Sequence, residues 1–174
     1  MRSMLLATVF VALTASGAAA ETNTGTGDAS GGAASDQAFM KTAAAGGIAE
    51  VESAKLALQK ASDKDVKEFA QHMIDDHTQA NKELEQIAKT KNAALPKEPD
   101  AKHKAVMQEL EGKSGKDFDK AYMKAQVKDH QEMISLFQQQ ASSGKDPELK
   151  SFATKTLPAL EKHLDHAKKV DGGI

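Results

Sequence analysis

Residues 64–91, KDVKEFAQHMIDDHTQANKELEQIAKTK, carry the pattern that decides the fold. Small or apolar side chains recur there at alternating steps of three and four residues, which is typical of the buried seam of a helix in a bundle. Asp63 precedes the stretch and is predicted to cap the helix N-terminus. The seam consists of Val66, Ala70, Met73, His77, Ala80, Leu84 and Ile87.

The same design occurs twice along the chain, at an offset of 83 residues. AFMK at 38–41 matches AYMK at 121–124, and VKEFA at 66–70 matches LKSFA at 149–153. An internal repeat of this kind indicates two copies of one supersecondary unit. The sequence therefore predicts two helical hairpins.

Four long helices follow from the seams and the capping signals. Asp146 and Pro147 are predicted to start the last helix, because Asp is a favoured N-cap and Pro a favoured first helical residue. Pro158 predicts a kink or a break inside that helix. The four helices are expected at about 36–61, 64–91, 116–142 and 147–170.

The connector between the hairpins, residues 92–115, is long and contains a predicted short helix at 101–110. A connector of this length can run along a whole bundle, whereas an up-down arrangement needs only a few residues. The prediction is an all-α chain: an antiparallel four-helix bundle over residues 35–171 with ferritin-like crossover topology.

Composition narrows the classes of function. The chain of 174 residues is 40% hydrophobic but only 4% aromatic, so small and aliphatic side chains must form its core. The net charge of -2 and the absence of a basic patch argue against a nucleic-acid partner. The absence of Cys excludes disulfides, thiol catalysis and thiolate metal ligands.

The N-terminus has the features of an export signal. Arg2 precedes an apolar run, Met4 to Leu13, which is too short to span a membrane, and Ala18 to Ala20 supply a cleavage site. We expect residues 1–20 to be a signal peptide and the protein to reside in the periplasm. Residues 21–34 are rich in Gly, Ser, Thr and Ala and are expected to form a flexible leader.

Each predicted seam contains one ionisable residue near the middle of its helix: Glu50, His77, His130 and His163. Four buried ionisable groups without mutual compensation would be very unfavourable. One solution is a divalent metal ion (iron, zinc, copper or manganese) held by three imidazoles and one carboxylate. The other is a dry hydrogen-bond network with neutral His and Glu50 as acceptor, in a structural or stress-protective protein without metal.

Several neighbours add to this pattern. Asp76 and Asp129 directly precede two of the seam histidines and can orient a neighbouring imidazole or remain solvated. His166 can extend the site, and Tyr122 can either donate to it or fill the core beside Phe39. His72 and His103 fall on expected outer faces.

Recurrent catalytic motifs are absent, including the nucleophile elbow, the Walker loop and H-E-x-x-H. The sequence therefore predicts no catalytic residue and favours a protein that is not an enzyme. A metal-dependent oxidoreductase at the same four residues is the third hypothesis.

The residues also resemble a known family of exported bacterial proteins, filed as domain of unknown function 4142 and often labelled as outer membrane proteins. The resemblance covers residues 35–170 and implies a ferritin-like fold and a location in the cell envelope, with no established reaction. It rests on Phe39 with the Ala-Gly-Gly stretch and Glu50, and on Phe69-Ala70-x-x-Met73-x-x-Asp76-His77, Gly115-x-x-Phe118-Asp119-x-x-Tyr122, Asp129-His130 and Leu157-Pro158-x-Leu160-x-x-His163.

The chain departs from ferritin-like di-iron proteins, which place a Glu three residues before each ligating His. Ile74, Val127 and Leu160 occupy those positions here. The resemblance therefore implies a mononuclear, His-rich site at most.

Overall fold

The computed structural model describes residues 27–174, with side chains described from Ser35 onward. Within these residues the protein is all-helical, with five helices and no strand. Among the described residues, none of the helices combines the length and the apolar character that a membrane span requires. The helices are α1 (Gly27–Lys60), α2 (Lys64–Thr90), α3 (Ala101–Glu111), α4 (Gly115–Ser143) and α5 (Pro147–Asp171).

The start of α1 differs from the expected boundary. The helix begins at Gly27, whereas the sequence led us to expect a flexible leader as far as residue 34. Ala29, Ala33 and Ala34 are strong helix formers, and extending an existing helix avoids the cost of nucleation. The predicted signal peptide and the first part of the leader lie outside the described residues.

The predicted capping residues start their helices. Asp63 accepts hydrogen bonds from the backbone N–H groups of Asp65 and Val66, and Asp146 accepts them from Glu148 and Leu149. Helix α5 continues through Pro158 without a break. The carbonyl that loses its partner there belongs to Thr154, which is on the exposed side of the helix.

Two further aspartates tie the hairpins to each other. Asp119 in α4 accepts hydrogen bonds from the backbone N–H groups of Ser62 and Asp63, at 3.0 and 3.1 Å. Asp36 in α1 accepts the equivalent bonds from Lys145 and Asp146, at 3.2 and 2.8 Å. Each carboxylate is buried and secures the turn of the opposite hairpin, so the repeat extends to the contacts between its two copies.

The long helices contact one another in the order α1, α2, α5, α4, with α4 returning to α1. Helices α1 and α4 run in opposite directions, because Phe39 packs on Phe137 near one end while Ser62 meets Asp119 near the other. Helix α3 packs against α1 and α4.

The core consists of two apolar clusters with a polar layer between them. One contains Phe69, Tyr122 and Met123, and the other contains Phe39 and Phe152. Glu50, His77, His130 and His163 each lie on their helix between residues of the two clusters, and all four are buried. The four ionisable seam residues are therefore inside the protein.

The buried face of α4 is wider than the predicted seam. Gln126 and Met133 are buried although the seam omitted them, whereas the seam residues Val127 and Ile134 are only half-buried. The reason is that α4 packs against α3 as well as against α1 and α5.

Candidate metal centre

Three imidazoles come together in the polar layer. His77 lies on α2, His130 on α4 and His163 on α5, and one ring nitrogen of each lies within 4.8 Å of the other two. The ring centroids are 5.4 to 5.7 Å apart. Helical packing brings these side chains together, since each occupies the inward face of a different helix.

Each of these rings retains a nitrogen without a hydrogen-bond partner among the described residues. The Nδ1–H of His130 donates to the carbonyl of Gln126 at 3.0 Å, so its Nε2 carries the free lone pair. The Nε2 of His163 bonds the Oδ2 of Asp76 at 2.8 Å, and its Nδ1 is free. The Nε2 of His77 is also free.

The surroundings keep these rings neutral. Burial, together with the neighbouring His130 and His163, lowers the pKa of His77 well below its usual range. Burial and the charge of His163 lower the pKa of His130 to about 4. Burial also lowers the pKa of His163, although Asp76 acts against this shift. Neutral imidazole is the form that binds metal ions, so the three rings fit a metal ion at neutral pH.

Glu50 is not part of the three-imidazole group. Its Oε1 lies 3.8 Å from the Nδ1 of His130, the ring nitrogen that is already protonated and bonded to Gln126. A ligand at the free Nε2 of His130 would be on the other side of the ring. The structure therefore brings together three of the four predicted residues and places Glu50 behind one of them.

The two aspartates before the seam histidines have different roles. Asp76 hydrogen-bonds His163, as a residue that orients a ligand would, and its side chain is still 57% exposed. Asp129 does not contact a seam imidazole; its Oδ1 accepts from the Nε2 of His103 at 2.9 Å and from Lys102 at 3.4 Å.

Burial and the nearby Asp129 raise the pKa of Glu50 well above its usual range.

Sequence reasoning missed the contribution of α3. His103 was expected on an outer face, but it is half-buried and also hydrogen-bonds Asp100, the N-cap of α3. The pattern Asp-x-x-His at the start of this short helix was the available signal. Nothing in the sequence indicated that α3 would cover α4 beside Asp129.

Tyr122 and His166 pack against the apolar cluster around Phe69. Tyr122 stacks on Phe118 with ring centroids 5.7 Å apart, and its ring centroid is 6.2 Å from that of Phe69. It does not lie beside Phe39, where we expected it. Phe39 occupies the repeat position of Tyr122, and the repeat places the two rings in different clusters. His166 contacts Phe69 at 5.3 Å and the exposed His72 at 6.0 Å.

The fold and these residues define a helical protein with a buried cluster of histidines. The chain belongs to the family described as domain of unknown function DUF4142, whose profile matches residues 21–170. No curated protein matches the chain.

Solved structures with a similar fold include CopM in three metal-bound forms. The Cu(II)-bound form has a TM-score of 0.68 at 17% identity, covering 79% of this chain and 96% of that chain. The Cu(I)-bound form has a TM-score of 0.65 at 17% identity, and a co-crystallised Ag-bound form has 0.64 at 18% identity. Each of these two covers 77% of this chain and 93% of its own. At this low sequence identity, the structural similarity shows a shared fold alone.

Proposed function

We propose that this protein binds a transition-metal ion through His77, His130 and His163. The observation that carries the proposal is the convergence of three neutral, buried imidazoles, each with one unpartnered nitrogen, within 4.8 Å. Buried polar atoms without partners are unfavourable, and coordination to one ion satisfies all three. In this proposal Glu50 lies beside the ligand His130 and is not a fourth ligand.

Copper is the metal we propose. Imidazole is a good ligand for copper, and Cu(II) binds nitrogen sites more tightly than the other first-row divalent ions. The similar fold of CopM, which has Cu(I)-, Cu(II)- and Ag-bound structures, supports this choice. Iron, zinc and manganese are the competing ions in the test.

The metal-free alternative, a closed network of hydrogen bonds, has less support. Such a network would satisfy its own members, yet the unpartnered buried atoms in the described part of the chain include one nitrogen of each of the three imidazoles. A half-satisfied polar network is worse than an apolar core. Ion binding accounts for these nitrogens, and a structural role alone does not.

We also infer an antiparallel, ferritin-like four-helix bundle with a crossover connector. Two observations support it: each long helix contacts two others in a closed order, and α1 and α4 are antiparallel. Helix α4 then runs in the same direction as α2, and the connector must return along the bundle. The signal-like residues 1–20 support export, and we propose the periplasm as the location.

Metal analysis of the protein purified without a His-tag tests the proposal. After equilibration with copper and desalting, we expect one copper per wild-type chain. We expect the His130→Ala variant to bind copper at least about 100-fold more weakly, since even outer-shell changes cost 10- to 100-fold. His72→Ala is the matched control, because His72 is an exposed histidine on α2.

The outcomes separate the hypotheses. Copper retained by a folded His130→Ala variant at the wild-type level would overturn the proposed site. A wild-type chain that binds no metal, but loses stability in that variant, would favour the structural alternative. Circular dichroism of each variant establishes that the helices are intact.

A further inference from the structure

A cavity lies between solvent and the three-imidazole group, and we call it the α5 cavity. Its volume is about 240 Å³, and most of its wall comes from α2 and α5. Two of the three imidazoles, His77 and His163, are part of this wall. The exposed residues Asp76, Gln79 and Lys155 also line it, so the cavity opens to solvent.

The nitrogens available to a metal ion are closed off from the surface. The Nε2 of His77, the Nε2 of His130 and the Nδ1 of His163 are all buried atoms. His130 is only 1% exposed and does not line the α5 cavity, whereas His77 and His163 form part of its wall. An ion that comes through this cavity therefore has to pass one of these two rings before it reaches all three nitrogens.

The charges in the wall of the α5 cavity favour a cation. The wall contains two carboxylates, Asp76 and Glu83, and one amine, Lys155, which forms an ion pair with Glu83 at 2.8 Å. The carboxylate of Asp76 is 57% exposed and accepts a hydrogen bond from the neutral ring of His163. Its charge therefore remains available to attract a positive ion from solution.

A smaller cavity on the other side of His130, the α3 cavity, does not offer the same access. Its volume is about 100 Å³, and none of the three histidines is in its wall. Lys102 and Lys128 line it, and their charges repel a metal ion. The two cavities thus allow the side of entry to be tested.

We propose that the metal ion enters and leaves through the α5 cavity, attracted by Asp76 and passing His77 and His163. This inference rests on the proposed three-imidazole site and concerns how an ion reaches it. Filling the cavity away from the ligands raises the barrier and leaves the bound state unchanged. Such a change slows binding and release by the same factor, and the dissociation constant stays the same.

Stopped-flow mixing of the metal-free full chain with Cu(II) tests the proposal. The signal is the fluorescence of Tyr122, the only tyrosine, which bound Cu(II) quenches. Ala159→Leu enlarges a half-buried side chain in the wall of the α5 cavity. We expect it to slow copper binding, and release to an excess of chelator, each by about 10-fold. The matched control is Ala125→Leu, which enlarges a half-buried alanine in the wall of the α3 cavity and should leave both rates unchanged.

Two further variants separate entry from packing and from charge. Ala80→Leu fills the α5 cavity from α2 and should act like Ala159→Leu. Asp76→Asn keeps an oxygen that accepts from His163 and removes the charge. At low salt it should slow binding by about 3-fold and weaken the salt dependence of the rate.

The outcomes distinguish the route from the site. Copper that binds both cavity-filling variants at the wild-type rate would overturn the route and leave the three-imidazole site intact. Slower binding in Ala125→Leu alone, or a changed dissociation constant at an unchanged binding rate, would also overturn it. A wild-type chain that binds no copper would instead overturn the proposed function, and the route with it.

Discussion

His130 connects the packing of the protein to its chemistry. Its Nδ1–H is donated to a carbonyl of its own helix, which fixes the tautomer and leaves Nε2 free beside the two other imidazoles. The Nδ1 of the same ring lies 3.8 Å from the Oε1 of Glu50. His130 thus lies between the other two imidazoles and the buried Glu50.

The lowered pKa of His130 predicts how the stability of the metal-free protein depends on pH. Its pKa falls from 6.5 to about 4 on folding, so the unfolded chain binds the proton more tightly. The contribution of neutral His130 to the free energy of unfolding is therefore fully present above pH 6.5 and is lost as the pH falls towards 4. The loss amounts to roughly 3 kcal/mol for this residue.

Urea unfolding of chelator-treated protein between pH 7.5 and 4 measures this effect. Carboxylates elsewhere also titrate in the range, so the comparison is with His130→Gln, which cannot gain the proton. We expect the free energy of unfolding to fall less steeply in the variant. Equal slopes in the two proteins would mean that His130 is not a buried neutral residue.

For the helices, the hydrophobic pattern predicted where each element lies, but it predicted the buried face of α4 only in part. The bounds of α2 and α5 agree with the sequence to within about a residue, because Asp63 and Asp146 provide strong capping signals. The face of α4 was not predictable from a single seam, since α3 covers it on a further side. The burial of Gln126 was missed for that reason.

The hydrogen bonds that Asp119 and Asp36 make between the hairpins predict how single substitutions change the stability of the protein. Asp119 accepts from two backbone N–H groups at the start of α2, so Asp119→Ala leaves both without their partner. We expect the free energy of unfolding to fall by about 2–3 kcal/mol. Asp117→Ala, at an exposed position two residues earlier, should change it by less than about 0.5 kcal/mol.

Chemical denaturation of the two variants in parallel measures the difference. Asp36→Ala, the equivalent change in the other half of the repeat, should behave like Asp119→Ala. Two variants as stable as the Asp117→Ala control would show that these carboxylates do not secure the turns.

At the scale of the whole molecule, the fold repeats but the site does not. Asp36 and Asp119 are equivalent, as are Asp63 and Asp146, and they make equivalent hydrogen bonds. At the offset of 83 residues, however, His130 corresponds to Gly47 and His77 to Leu160. The ionisable residues therefore interrupt the repeat.

The sequence sufficed to predict that three histidines meet, because mid-helix seam positions converge in any bundle. It did not suffice to predict that Glu50 lies outside the three-imidazole group, on the Nδ1 side of His130. The rotation of each helix about its own axis decides which residues its side chains meet, and spacing along the chain does not fix that rotation. The hydrogen bond between His103 and Asp129 depends in the same way on where α3 packs.

Copper binding by the three imidazoles is tested most directly by a crystal structure of the copper-loaded protein with anomalous data at the copper edge. We expect one strong anomalous peak bonded to His77, His130 and His163, with Glu50 outside the coordination sphere. A copper ion at other residues, or none in a crystal of protein equilibrated with copper, would contradict it.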